Sequence, residues 1–62
     1  SDAGLVTAVV EQVLAANQKS VEDFKSGKEK AFGFLVGQVM RQLKGQAAPA
    51  VVNQVLRGKL SQ

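Results

Sequence analysis

The chain has 62 residues, no cysteine and no histidine, so it is one domain at most and lacks both a disulfide and the commonest general base and metal ligand. A chain of this size buries only about 60% of its unfolded surface, so it must rest on a small apolar core, which a 45% hydrophobic composition can supply. The net charge of +3 is uneven: all five acids (Asp2, Glu11, Glu22, Asp23, Glu29) precede Lys30, and five bases with no acid follow from there.

Residues 3–16, AGLVTAVVEQVLAA, set Val6, Val9, Val10, Val13 and Leu14 at helical spacing, with Glu11 and Gln12 off the stripe. Asn17 follows as a stop or as the next cap. Residues 19–26, KSVEDFKS, read as a short second helix. Ser20 and Asp23 are spaced as a capping box with Asp in place of Glu, and Val21 and Phe24 form its inward pair. Glu22 and Asp23 are then expected to complement the positive end of that helix. Gly27 supplies a left-handed residue to end it.

Residues 28–44 read as the long third helix, closed in the same way by Gly45. Pro49 suits the first turn of a fourth helix over 49–59, whose stripe is Val51, Val52, Val55, Leu56 and Leu60. Gly58 weakens its last turn, which is expected to fray. No segment alternates with period 2, and there is no internal repeat or dividing linker. The expectation is an all-α fold, a single domain over 1–62 built as a small bundle of four short helices.

The third helix poses a question. Gly33 and Gly37 lie inside it, and each costs about 1 kcal/mol against alanine. On a wheel with Lys30 at zero, Leu35, Val39 and Leu43 fall at about 140°, 180° and 220°, with Phe32 and Val36 at about 200° and 240°. That is the core face. The opposite face carries Lys30, Gly33, Phe34, Gly37, Arg41 and Lys44. Phe34, flanked by Lys30, Gln38 and Arg41, is not explained by core packing within the helix. Three readings stand. Another helix of the fold crosses there and the glycines allow close approach, burying Phe34. Alternatively, the glycines make a floor for a phosphate backbone, with Lys30, Arg41 and Lys44 neutralising phosphates and Phe34 stacking on a base or ribose. The third is a protein-interaction face on Gly33, Phe34 and Gly37 that docks a partner helix. Phe24 and Phe32 both fit inward stripes and are expected in the core.

Catalysis finds no constellation here. The serines and Thr7 have no histidine to activate them. Glu22 and Asp23 are adjacent and point to different sides of a helix, and Gly27-Lys28 follows no strand, so no phosphate-binding loop is read. The start is acidic rather than basic, so no secretory signal is read, and no apolar run approaches the roughly 20 residues of a membrane span. A soluble, cytoplasmic setting is expected, and the absence of an initial Met suggests a piece of a longer chain.

The run GKEKAFGFLVGQVMRQLKGQAAPAVVNQVL, with VLAANQKSVEDFKSG before it, resembles the amidotransferase B-subunit/YqeY domain family. The likeness extends from about Val10 to Leu60 and includes GKEKAFGFLVGQVM followed in order by the Pro49-x-x-Val52-Asn53 element. This family supplies the C-terminal tail domain of tRNA-dependent amidotransferase B subunits. The resemblance implies a helical, non-catalytic module that holds tRNA from the elbow side. Its parent is an ATP-dependent complex of A, B and C subunits that uses glutamine and Mg. That complex converts Glu-tRNA(Gln) to Gln-tRNA(Gln) and Asp-tRNA(Asn) to Asn-tRNA(Asn). By position, Lys28, Lys30, Gly33, Gly37, Gln38, Arg41 and Lys44 carry over as tRNA-binding candidates, joined by Phe34 from the surface reading. Asn53 is also a family position, better read as a surface or capping residue. The fragment itself is expected to hold no ATP, metal or cofactor and to be monomeric. Two departures stand out: Gln18 replaces a common proline, and Ala48 replaces an Asn that would cap the fourth helix, a loss of about 1 kcal/mol.

Overall fold

The computed structural model describes the backbone of residues 2–62 and the side chains of residues 4–62. Four helices follow in order: α1 (Asp2–Ala16), α2 (Gln18–Lys25), α3 (Glu29–Leu43) and α4 (Pro49–Leu60). No strand occurs among the described residues. The all-α bundle expected from the apolar stripes is the fold observed.

The core is made by three of the helices. Val6, Val9, Val10 and Val13 of α1 meet Leu35, Val39 and Leu43 of α3 and Val52, Leu56 and Leu60 of α4. Each is an aliphatic side chain at i, i+3, i+4 spacing, and full burial of one contributes roughly 1.5–3 kcal/mol. The short α2 has no fully buried residue; it lies against α3 and α1 and lends Val21 and Phe24 to the core's edge. Val51 departs from the expected stripe and is exposed, because it sits on the flank of the row Val52, Leu56, Leu60. Phe24 and Phe32 are half-buried at the core's margin and not fully within it.

Helix ends account for the other differences. α2 starts at Gln18, with Asn17 in the N-cap position. Ser20 is therefore inside the helix, and no capping box forms. The Asn17 side chain turns the other way: its Nδ2 donates to the Val13 carbonyl at 2.8 Å, satisfying a group that the end of α1 leaves free. Glu22 and Asp23 accordingly fall in the second half of α2, away from its positive end. Asp23 instead lies 3.8 Å from Lys19 and 3.9 Å from Lys28. The close of α2 is as expected: Gly27 has φ +107°, the Lys28 amide donates to the Asp23 carbonyl and the Gly27 amide to that of Phe24.

At the end of α3 the left-handed turn takes two residues, Lys44 (φ +51°) and Gly45 (φ +82°). α4 begins with Pro49 after an uncapped Ala48, and it continues through Gly58 to the buried Leu60. The Ser61 hydroxyl donates to the Arg57 carbonyl at 2.7 Å, and the Ser61 amide donates to the same oxygen at 3.1 Å. Lys59 and Glu11, 2.7 Å apart, join α4 to α1.

Candidate nucleic-acid interface

α3 divides cleanly into two sides. Ala31, Leu35, Val39 and Leu43 are buried in one row. Lys30, Gly33, Phe34, Gly37 and Arg41 are exposed on the opposite side, and Gln38 is half-buried between. The two rows follow from the 3.6-residue repeat, because residues four apart share a face.

The glycines stand in open space. Apart from the adjacent residues and the backbone of α3 itself, no atom of the described residues comes within 4 Å of a β-carbon placed at Gly33 or Gly37. Among the described residues no helix crosses them, so the reading in which they allow close packing inside the fold is overturned. Phe34 is likewise left 47% exposed, where Phe24 and Phe32 pair at 5.5 Å between ring centroids. The backbone of α3 is thus approachable along about one turn, or 6 Å, beside a bare aromatic ring.

The cations around this floor differ in their freedom. Among the described residues Lys30, Arg41 and Lys44 have no carboxylate within ion-pair distance. Lys28 lies at the N-cap of α3 and shares Asp23 with Lys19. Lys44 is the C-cap residue in a left-handed conformation, so it leaves the helical row in which the wheel put it. It remains exposed just past the end of the face. Asn53 is exposed in the interior of α4, not at a cap.

Sequence reasoning missed one cation. The Arg57 guanidinium of α4 lies over the Phe32 ring, 4.3 Å from its centroid. Nothing local signals this pair, since the crossing of α4 over α3 creates it. It also missed a shallow apolar groove where the α3–α4 connector turns, lined by Met40, Ala47, Pro49 and Val51 among others. That groove carries no charged side chain. Among the described residues no cluster of three or more His, Cys, Asp or Glu could hold a metal, and no helix is long and apolar enough to cross a membrane.

Comparison with known proteins gives the family. The GatB domain matches residues 1–60. This chain belongs to the GatB domain family. It is similar to the B subunit of the aspartyl/glutamyl-tRNA(Asn/Gln) amidotransferase of Paraburkholderia xenovorans, 61% identical over 98% of this chain and 12% of that protein. The B subunits of the same name from Carboxydothermus hydrogenoformans and Geobacter sulfurreducens are 59% and 55% identical, over 98% and 97% of this chain and 13% and 12% of theirs. This GatB domain therefore spans about one eighth of the length of the curated relatives it matches, and the matched stretch is their C-terminal region. No solved structure matches it.

Proposed function

We propose that this GatB domain is the non-catalytic, tRNA-binding tail of an amidotransferase B subunit acting in the cytoplasm. The parent, with its A and C subunits, uses glutamine and ATP to amidate Glu-tRNA(Gln) and Asp-tRNA(Asn). The chemistry belongs to the rest of the complex. The tail adds affinity and orientation, because a second, tethered contact raises the effective concentration of the acceptor end at a distant site. Its own side chains do this by charge and by contact, with no bond made or broken.

One observation supports this reading above the others. An uncovered helical face joins two open glycines and a half-exposed Phe34 to Lys30 and Arg41, neither of which has a carboxylate partner among the described residues. Neutralising phosphates with three cations, Lys44 included, gives a plot of log affinity against log salt with a slope of about −2 to −3. An apolar docking surface has little such dependence.

The test is an NMR titration of the domain with a tRNA transcript at low and high salt. The expected result is that amide shifts concentrate on Lys30, Gly33, Phe34, Gly37, Arg41 and Lys44 and fade with salt. If tRNA moves none of them, the reading fails. The second reading, a protein partner docked on Gly33, Phe34 and Gly37, draws on the apolar groove at Met40 and Val51, since Met40 belongs to the same helix. Binding of the other subunits that shifts this face and resists salt is the outcome that favours it.

A further inference from the structure

The exposed side of α3 is uneven in a way that charge alone does not explain. Phe34 has as its helical neighbours the residues three and four positions away: the exposed Lys30 and Gly37, the half-buried Gln38 and the buried Ala31. Side chains on a helix lean toward its N-terminus, so the Phe34 ring leans over the turn of Lys30 and Ala31. Of the two positions that would shield its C-terminal side, Gly37 has no side chain and only Gln38, half-buried, carries one. Gly33 bares the adjoining row, and nothing described fills either place. The result is a trough about one turn long, walled by an aromatic ring and floored by backbone.

Duplex RNA has little use for such a trough. Its bases are stacked inside, and it presents phosphates, ribose hydroxyls and a shallow groove edge. Cations would serve it, and an aromatic ring would be wasted. An unpaired nucleotide is the RNA element with a free base face, and base–aromatic stacking accepts any base. Cations also lie on both sides: Lys30 is about 6 Å before Phe34 along the helix axis and Arg41 about 10 Å after it. Phosphates on either side of a stacked nucleotide each have a partner.

We propose that this face takes an unpaired nucleotide of a loop or single strand, its base stacked on Phe34 over the Gly33–Gly37 floor and its flanking phosphates held by Lys30 and Arg41. This rests on the RNA-binding reading above.

Two probes of equal length separate the ideas: a 12-nucleotide single strand of mixed sequence with 2-aminopurine at its centre, and its blunt duplex. The domain binds the single strand more tightly than the duplex, and 2-aminopurine fluorescence is quenched on binding. Phe34→Leu weakens single-strand binding by roughly 5- to 150-fold, the range for losing one aromatic–base stack, and abolishes the quench. It leaves duplex affinity and the salt slope within error. Phe34→Trp keeps both affinity and quench. Lys30→Ala and Arg41→Gln weaken both probes and flatten the salt slope. If those two variants lose affinity while Phe34→Leu does not, RNA binding stands and stacking on Phe34 is overturned. If neither probe nor a tRNA transcript binds the unmodified domain, both ideas fall.

Discussion

The guanidinium carbon of Arg57 stands 4.3 Å from the centroid of the Phe32 ring, which in turn lies 5.5 Å from that of Phe24 at a tilt of 41°. The three side chains come from α4, α3 and α2, so the contact gathers three helices at one corner. A cation over an aromatic face at an exposed site contributes about 0.5–1 kcal/mol. Arg57→Ala should therefore lower the melting temperature by about 2–8 °C, taking the usual scale for a domain of this size. RNA affinity should fall far less than with Arg41→Ala. Thermal melts by circular dichroism and a binding isotherm check both. An unmoved melting temperature with a loss of RNA binding equal to that of Arg41→Ala would place Arg57 in the interface instead.

Gly33 and Gly37 lower the stability of α3 with no return in packing, since a β-carbon at either meets, among the described residues, nothing within 4 Å beyond its chain neighbours and the backbone of its own helix. Both have helical φ, so alanine fits without strain. Gly33→Ala and Gly37→Ala should each stabilise the domain by about 1 kcal/mol, or about 4–8 °C in melting temperature. Both should weaken tRNA binding, Gly37→Ala more because it borders Phe34. Opposite signs for stability and binding mark residues kept for a ligand. A fall in melting temperature would mean that something packs against these glycines in solution.

Why the two sides of α3 were legible in the sequence, and the glycines' purpose was not, follows from what a helical period contains. A 3.6-residue repeat fixes which residues point away from the core, and Leu35, Val39 and Leu43 lie where the wheel puts them. It says nothing about whether a neighbouring helix covers the outward face. That depended on how α1, α2 and α4 pack, and none of them reaches Gly33 or Gly37. The breaks between helices were legible from Gly27, Gly45 and Pro49, each of which has a backbone reason to stand there. The start of α2 was not. Asn17 and Ser20 are both good caps in isolation, and the choice went to the position that lets Asn17 also bond back to Val13. Lys44 was misplaced because the left-handed turn begins one residue before its glycine.

Ala48 has the extended backbone of an N-cap but no side chain to act as one. Pro49 follows with no amide hydrogen, and the Val51 amide already bonds to the Ala48 carbonyl at 3.0 Å. The Ala50 amide is the donor left for a cap. Ala48→Asp should accept from it and oppose the positive end of the helix. The expected gain is about 1 kcal/mol, with slower hydrogen exchange confined to the first turn of α4. Added negative charge near the connector should leave RNA affinity nearly unchanged if the site is centred on Phe34. A large loss would extend the interface to that groove.

Phe34 and Leu35 are consecutive residues with opposite fates, one 47% exposed and the other fully buried. Leu35→Ala empties space at the meeting of three helices and should cost about 2–5 kcal/mol. A domain of this size has a total stability of only about 3–9 kcal/mol at typical values per residue. Leu35→Ala should therefore leave a large unfolded fraction at 37 °C, seen as a broad, early melt and collapsed amide dispersion. Phe34→Leu should stay within about 0.5 kcal/mol of the parent, as surface changes do. The pair tests the division of α3 directly: one substitution should remove the fold, and its neighbour should only weaken single-strand binding. A strongly destabilising Phe34→Leu would show that the ring is covered in solution and would withdraw it from the RNA interface.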